Sequence, residues 1–168
     1  MATHEISLLG PSTVPDTSGN CWQEPYTIAA TNDVWALLVY RFKDSGTKVG
    51  VYGQFTVPQN YVGTAAVKPV WTATATTGNI VWQFEYRTVG GDDTTSLDQA
   101  GTEETPNVTD AAPTAAHRRL QPTISPTSAN FAAGETVEYY FVRDGSVVGD
   151  TLAADGLLFD LLLSYSDA

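Results

Sequence analysis

The stretch from Val67 to Val89, VKPVWTATATTGNIVWQFEYRTV, constrains the fold more than any other part of this chain. Two β-type runs flank Thr76-Thr77-Gly78-Asn79, and the Gly and Asn suit the positive φ angles of a tight turn, so the sequence predicts a hairpin with its register fixed locally. By the two-residue period, Ile80, Trp82, Phe84 and Tyr86 share one face while Val81, Gln83, Glu85 and Arg87 share the other. The first face is expected to be core. The second is expected to be a polar outer or intersubunit surface.

Other strands fall on either side. Val34 to Phe42 is apolar on both faces, as in a strand buried on two sides or lying at a subunit contact. Asp44-Ser45-Gly46 is a turn signal. In the following strand, Val49 to Val57, Val51, Phe55 and Val57 are set against Tyr52, Gln54 and Thr56, and Pro58 closes it. The polar passage from Gly90 to Ala116 is too long for a plain hairpin loop. A short strand is expected near Thr102 to Val108, then a helical turn over Asp110 to His117, with Asp110 as cap and Pro113 in its first turn. Three further strands are predicted at Arg118 to Ser125, Thr136 to Arg143 and Leu157 to Tyr165. In the last, Leu157, Phe159, Leu161, Leu163 and Tyr165 share a face, and a turn of helix over Asp150 to Gly156 precedes it. About eight strands and no long amphipathic helix predict an all-β jelly-roll β-sandwich.

Residues 1–32 read differently. Pro11, Pro15 and Pro25 interrupt the segment, with Gly10 and Gly19 between them, so apart from a short strand at Glu5 to Leu9 it is expected to be an extended arm. Such an arm either covers a sheet edge of its own domain or reaches a neighbour; the single jelly-roll domain is expected over 33–168. With 8 Lys and Arg against 19 Asp and Glu, the formal net charge of −11 argues against nucleic acid or an anionic membrane as partner. The one cysteine, Cys21, allows no intrachain disulfide. Neither a secretion signal nor a membrane span is evident, so a cytoplasmic place of synthesis is expected and the Asn107-Val108-Thr109 sequon carries no meaning there.

Catalytic raw material is thin. His4 and His117 lie outside any nucleophile-elbow context and are expected at the surface. Glu85, Glu138 and Asp160 stand on strands, and a Glu85/Glu138 pair could serve a sandwich glycosidase, but the ExDxE-type spacing of jelly-roll glucanases is missing. Asp92-Asp93, Asp98 and Glu103-Glu104 could suit calcium, yet they match no known ligand spacing, and a solvated acidic loop is the expectation. Trp35, Trp71 and Trp82 sit at apolar strand positions and are expected in the core. No cofactor is expected.

VPQNYVG at 57–63, ATATTGNIVW at 73–82 and DTLAADG at 150–156 together resemble steps of the small jelly-roll virion proteins of tailed bacteriophages, including the capsid decoration, or cement, type. The resemblance covers about Val34 to Ala168. It implies a homotrimer on the outer capsid surface, assembled in the bacterial host cytoplasm, with the major capsid protein as partner and no enzymatic activity. The contact residues expected on this basis are Pro11, Val14, Pro15, Trp22 and Tyr26 in the arm, with Trp35, Leu37 and Tyr139 on strands. The alternative is a tail-fibre or receptor-binding module that recognises host glycans through aromatic residues on loops.

Overall fold

A computed structural model describes residues 1–29, 34–89 and 104–167. Among the described residues, ten strands form two antiparallel five-stranded sheets. The first is built around β10 (Gly156–Asp167) with β6 (Tyr61–Thr72) along one edge. On the other edge β1 (Thr3–Ser7) and β4 (Val34–Phe42) follow end to end, and β3 (Cys21–Ala29) pairs outside β4. The second sheet has the order β2-β5-β9-β7-β8. Its strands are β2 (Val14–Pro15), β5 (Lys48–Thr56), β7 (Asn79–Val89), β8 (Asn107–Ala111) and β9 (Thr136–Asp144). This is the sandwich that strand composition and spacing predict.

The core lies where the inner faces meet. Ile80, Trp82, Phe84 and Tyr86 are all buried, as the period requires. Trp82 stacks on Phe141 of its own sheet at 5.1 Å and takes edge contacts from Trp71 at 5.7 Å and Phe42 at 5.1 Å, both from the opposite sheet. Aromatic pairs of this kind contribute about 0.5–1.5 kcal/mol each beyond the area they bury, so the four rings are a principal tie between the sheets.

The expected hairpin at Val67 to Val89 is corrected. Both strands form, but β6 pairs with β10 and β7 with β8 and β9, so the turn at 73–78 crosses from one sheet to the other. Trp71 and Trp82 face each other through the core because of this arch. Gly78 still needs its glycine: its φ is +94°, and a Cβ would meet the Leu152 Cα at 2.9 Å.

Other local expectations also change. Asp110 caps no helix; it lies in β8 and accepts the Trp71 indole N–H at 2.8 Å, the partner a buried tryptophan requires. Arg118 to Ser125 is not a continuous strand, and only Leu120 and Ile124 bridge to β6, at Trp71 and Val67. Pro122 removes the donor between them. Asp150 to Gly156 forms no helical turn; it wraps the fully buried Arg143, whose guanidinium donates to Asp150 at 2.7 Å, to the carbonyls of Leu152 and Ala154 at 2.6 and 2.7 Å, and to Asp44 at 3.1 Å. In β10 the register shifts between Leu158 and Asp160. This bulge splits the predicted apolar face: Leu158, Leu161 and Leu163 join the main core, while Leu157 packs with Tyr26, Val39 and Phe159 on the outside of the sheet.

The N-terminal segment is not irregular over its described part. β1 pairs with β10, β2 with β5 and β3 with β4, so the arm completes the edges of its own sandwich. Pro15 and Pro25 are tolerated because a proline on an outer strand surrenders no interior ladder bond.

Candidate functional site

The outward face of the β9 sheet gathers aromatic and charged side chains at the surface. Side chains directly opposite on antiparallel strands share a face, so the register gives their layout. One row runs Val14, Tyr52, Tyr140, Glu85 across β2, β5, β9 and β7. The next runs Gln54, Glu138, Arg87 across β5, β9 and β7. The first row spans three strand spacings, about 14 Å. Between the rows lies a hollow of about 240 Å³ lined by Tyr52, Glu85, Arg87, Glu138 and Tyr140 together with Tyr86 and Tyr139. A second hollow of about 380 Å³ continues past Tyr52, Gln54 and Glu138 to Ser12.

Tyr52 and Tyr140 stack with centroids 4.2 Å apart and planes 14° from parallel. Tyr140 is half-buried, whereas Tyr52 is 49% exposed. The pair is held from the arm side by Asp16. The Tyr140 hydroxyl donates to its carboxylate at 2.9 Å, the Gly50 N–H at 2.7 Å, and Ser18 through both its N–H and its hydroxyl. Burial pushes the Asp16 carboxyl up, but these hydrogen bonds outweigh it and leave the group below its ordinary range. Burial, and then the Asp16 carboxylate, raise the Tyr140 phenol well above a free tyrosine, so it stays a donor. Gly50 makes room for the ring: a Cβ there would meet Tyr140 Cε2 at 2.8 Å and Val142 Cγ1 at 2.7 Å.

The polar members are paired. Lys48 donates to Glu85 at 2.5 Å and comes within 4.0 Å of Asp144; the Arg87 Nε–H donates to Glu138 at 2.6 Å. The carboxylates are therefore fixed on the face and still partly accessible to solvent, with side chains 17% and 26% exposed for Glu85 and Glu138. What results is an aromatic platform beside rigid hydrogen-bond acceptors, the combination that grips a ring bearing both C–H faces and hydroxyls.

The expected contact residues do not assemble into one surface. Val14 belongs to the face just described and is 58% exposed; Pro15 follows it in β2, and Pro11 is exposed in the loop before it. Trp22, half-buried, donates to Glu24 on the outer side of the other sheet, and Tyr26 is buried there against His117 and Phe159. Leu37 is half-buried on β4, and the Trp35 side chain lies outside the described residues. Tyr139 is buried, and its hydroxyl donates to the Leu8 carbonyl, so it is a core residue. His4, half-buried in β1, pairs with Asp167, and the exposed His117, outside any strand, meets the Tyr26 hydroxyl. Asp92, Asp93, Asp98 and Glu103 lie outside the described residues. Glu104 accepts from the Tyr86 hydroxyl and from Thr127, and among the described residues no cluster of metal-ligating side chains forms. Sequence reasoning missed Asp16 and gave Tyr52 no role. The usable signal for Tyr52 was an aromatic on the polar side of an alternating strand.

No protein-family model and no curated protein matches the sequence. Among solved structures, the chain is similar to a family 35 carbohydrate-binding module from Clostridium thermocellum, at 13% identity over 99% of both chains with a TM-score of 0.54. It is similar also to a family 35 module from Paenibacillus barcinonensis, at 11% identity over 99% of this chain and 100% of that one, TM-score 0.52. A third likeness is to the CBM22-1 xylan-binding domain of Xyn10C from the same organism, at 10% identity over 98% and 94% of the two chains, TM-score 0.52. At such identities the likeness is one of fold, and it fits the jelly-roll sandwich. It also corrects the expectation of a capsid decoration protein: these full-length neighbours are carbohydrate-binding modules, and the steps that resembled virion proteins are fold-making. ATATTGNIVW forms the arch between sheets, and DTLAADG encloses Arg143.

Proposed function

We propose that this chain is a glycan-binding module whose site is the outward face of the β9 sheet, centred on Tyr52. The observation that carries the reading is the row Val14-Tyr52-Tyr140-Glu85 lying beside Gln54-Glu138-Arg87. An exposed, braced aromatic stacks on a sugar ring, and Glu85, Glu138 and Gln54 accept its hydroxyl protons. The fold neighbours described as carbohydrate-binding modules support the same reading. The role is one of binding without catalysis. A glycosidase would need one carboxyl of the Glu85/Glu138 pair set aside to deliver a proton, whereas here each is committed to its own cation.

Affinity electrophoresis against a panel of soluble plant and bacterial polysaccharides tests this. At least one polysaccharide is expected to retard the wild-type chain, and Tyr52→Ala to abolish the retardation while thermal stability is kept. A panel with no retarding glycan, or retardation that survives Tyr52→Ala, would sink the reading.

A further inference from the structure

The site's charges carry the reading one step further, to the class of glycan. Among the described residues, four carboxylates stand on or beside this face: Asp16, Glu85, Glu138 and Asp144. Two cations accompany them, Lys48 and Arg87. Lys48 is held by Glu85 at 2.5 Å with Asp144 at 4.0 Å, and Arg87 by Glu138 at 2.6 Å. Asp16 is occupied by Tyr140, Gly50 and Ser18. The other six cations lie away from this face: Arg41 binds Glu24 and Asp155, Lys68 binds Glu5, Arg118 donates to Thr114, Arg119 lies over the Phe159 ring, Arg143 is sealed in the core, and Lys43 directly follows β4 of the other sheet.

A uronate carboxylate reaching the hollow would find more carboxylates than cations, and both cations already bound. It would also approach a molecule of net charge −11, whose field opposes it at long range. An uncharged sugar meets none of this. Its hydroxyls donate to the open lone pairs of Glu85 and Glu138, and each carboxylate offers about four such sites, of which a cation takes only a part. Its ring lies on Tyr52. The ion pairs thus position acceptors without adding an anion-binding charge.

Resting on the glycan-binding reading, we propose that this site selects uncharged, hydroxyl-rich glycan chains and excludes uronate-containing ones through the paired carboxylates Glu85 and Glu138. The test is calorimetric titration of the full chain with hexasaccharides: xylohexaose, mannohexaose, cellohexaose and hexagalacturonate. At least one neutral probe is expected to bind at least about tenfold more tightly than hexagalacturonate, a difference of about 1.4 kcal/mol. Its affinity should change less than about twofold between roughly 20 and 200 mM salt, because no net charge is neutralised. Glu85→Gln, with fold checked by near-ultraviolet circular dichroism, should lose neutral-chain affinity and gain hexagalacturonate affinity as Lys48 loses its nearest carboxylate. If Glu85→Gln does not fold, Glu138→Gln, which takes one negative charge off the face, should likewise weaken neutral-chain binding and narrow the gap to hexagalacturonate. Hexagalacturonate binding as tight as the best neutral probe overturns the selectivity while leaving the glycan-binding reading in place. Failure of all four probes, together with failure of the polysaccharide panel, removes that reading and the selectivity with it.

Discussion

At the scale of single residues, Asp16 and Tyr140 are the most informative pair. Asp16 is held below its ordinary carboxyl value of 3.8 by its hydrogen-bond donors. Such a group adds stability that is fully present above the unfolded value and is lost as pH falls through the lower folded one. Asp16→Ala is therefore expected to be less stable than wild type at neutral pH and to converge with it in acid, below about pH 4, as read by urea midpoints across a pH series. Tyr140→Phe removes one hydrogen bond to a charged acceptor, worth about 1.5–3 kcal/mol at most, and should weaken glycan binding less than Tyr52→Ala does. Cys21 offers an independent probe. It is 3% exposed, and burial together with the Asp16 charge pushes its thiol up to about 12. Thiol reagents are expected to leave it unmodified in the native state and to label it only at the rate of unfolding; rapid labelling at neutral pH would contradict its placement in the core.

At the scale of elements, alternation was the legible signal and pairing was not. The period of β7 placed Ile80, Trp82, Phe84 and Tyr86 in the core correctly, because side-chain direction is a local property of an extended chain. Whether β6 pairs with β7 depends on which edges are already taken, and that is decided by β10 and β9, both distant in sequence. The same limit hid the site: Tyr52, Tyr140 and Glu85 are 33, 55 and 88 positions apart pairwise and meet only through register. Proline and glycine misled in the arm, where they suggested irregular chain although edge strands accept them. Arg143 closes the strand predicted at Thr136 to Arg143, yet it organises the 150–156 loop by binding a carboxylate and two carbonyls. Arg143→Met leaves Asp150, whose side chain is 3% exposed, without its counter-charge. Breaking a buried pair from one side costs about 3–5 kcal/mol, so the variant should melt far below wild type. A near-neutral result would mean that water replaces the guanidinium in that loop.

At the scale of the whole molecule, the N-terminal segment has two separable duties. Its first part is structural: β1 occupies the edge of β10 opposite Leu162 to Ser166, Leu8 is buried in the core, and the Leu8 carbonyl takes the Tyr139 hydroxyl. Its second part serves the face: Val14 extends the aromatic row, and Asp16 fixes Tyr140. Deleting residues 1–9 is expected to remove a buried leucine, which costs about 2–5 kcal/mol by analogy with large-to-small core changes. At roughly 2–4 °C per kcal/mol for a chain of this size, the midpoint should fall by about 4–20 °C. Glycan affinity measured well below that midpoint should stay within a few-fold of wild type, since β2 and Asp16 remain. Extending the deletion to residue 18 takes away both, and affinity should then fall at least as far as in Asp16→Ala. If the shorter deletion already abolished binding in a folded protein, β1 would be part of the recognition surface and the division of labour along the arm would be wrong. If the longer one left affinity intact, Tyr140 would need no brace and the platform would rest on Tyr52 alone.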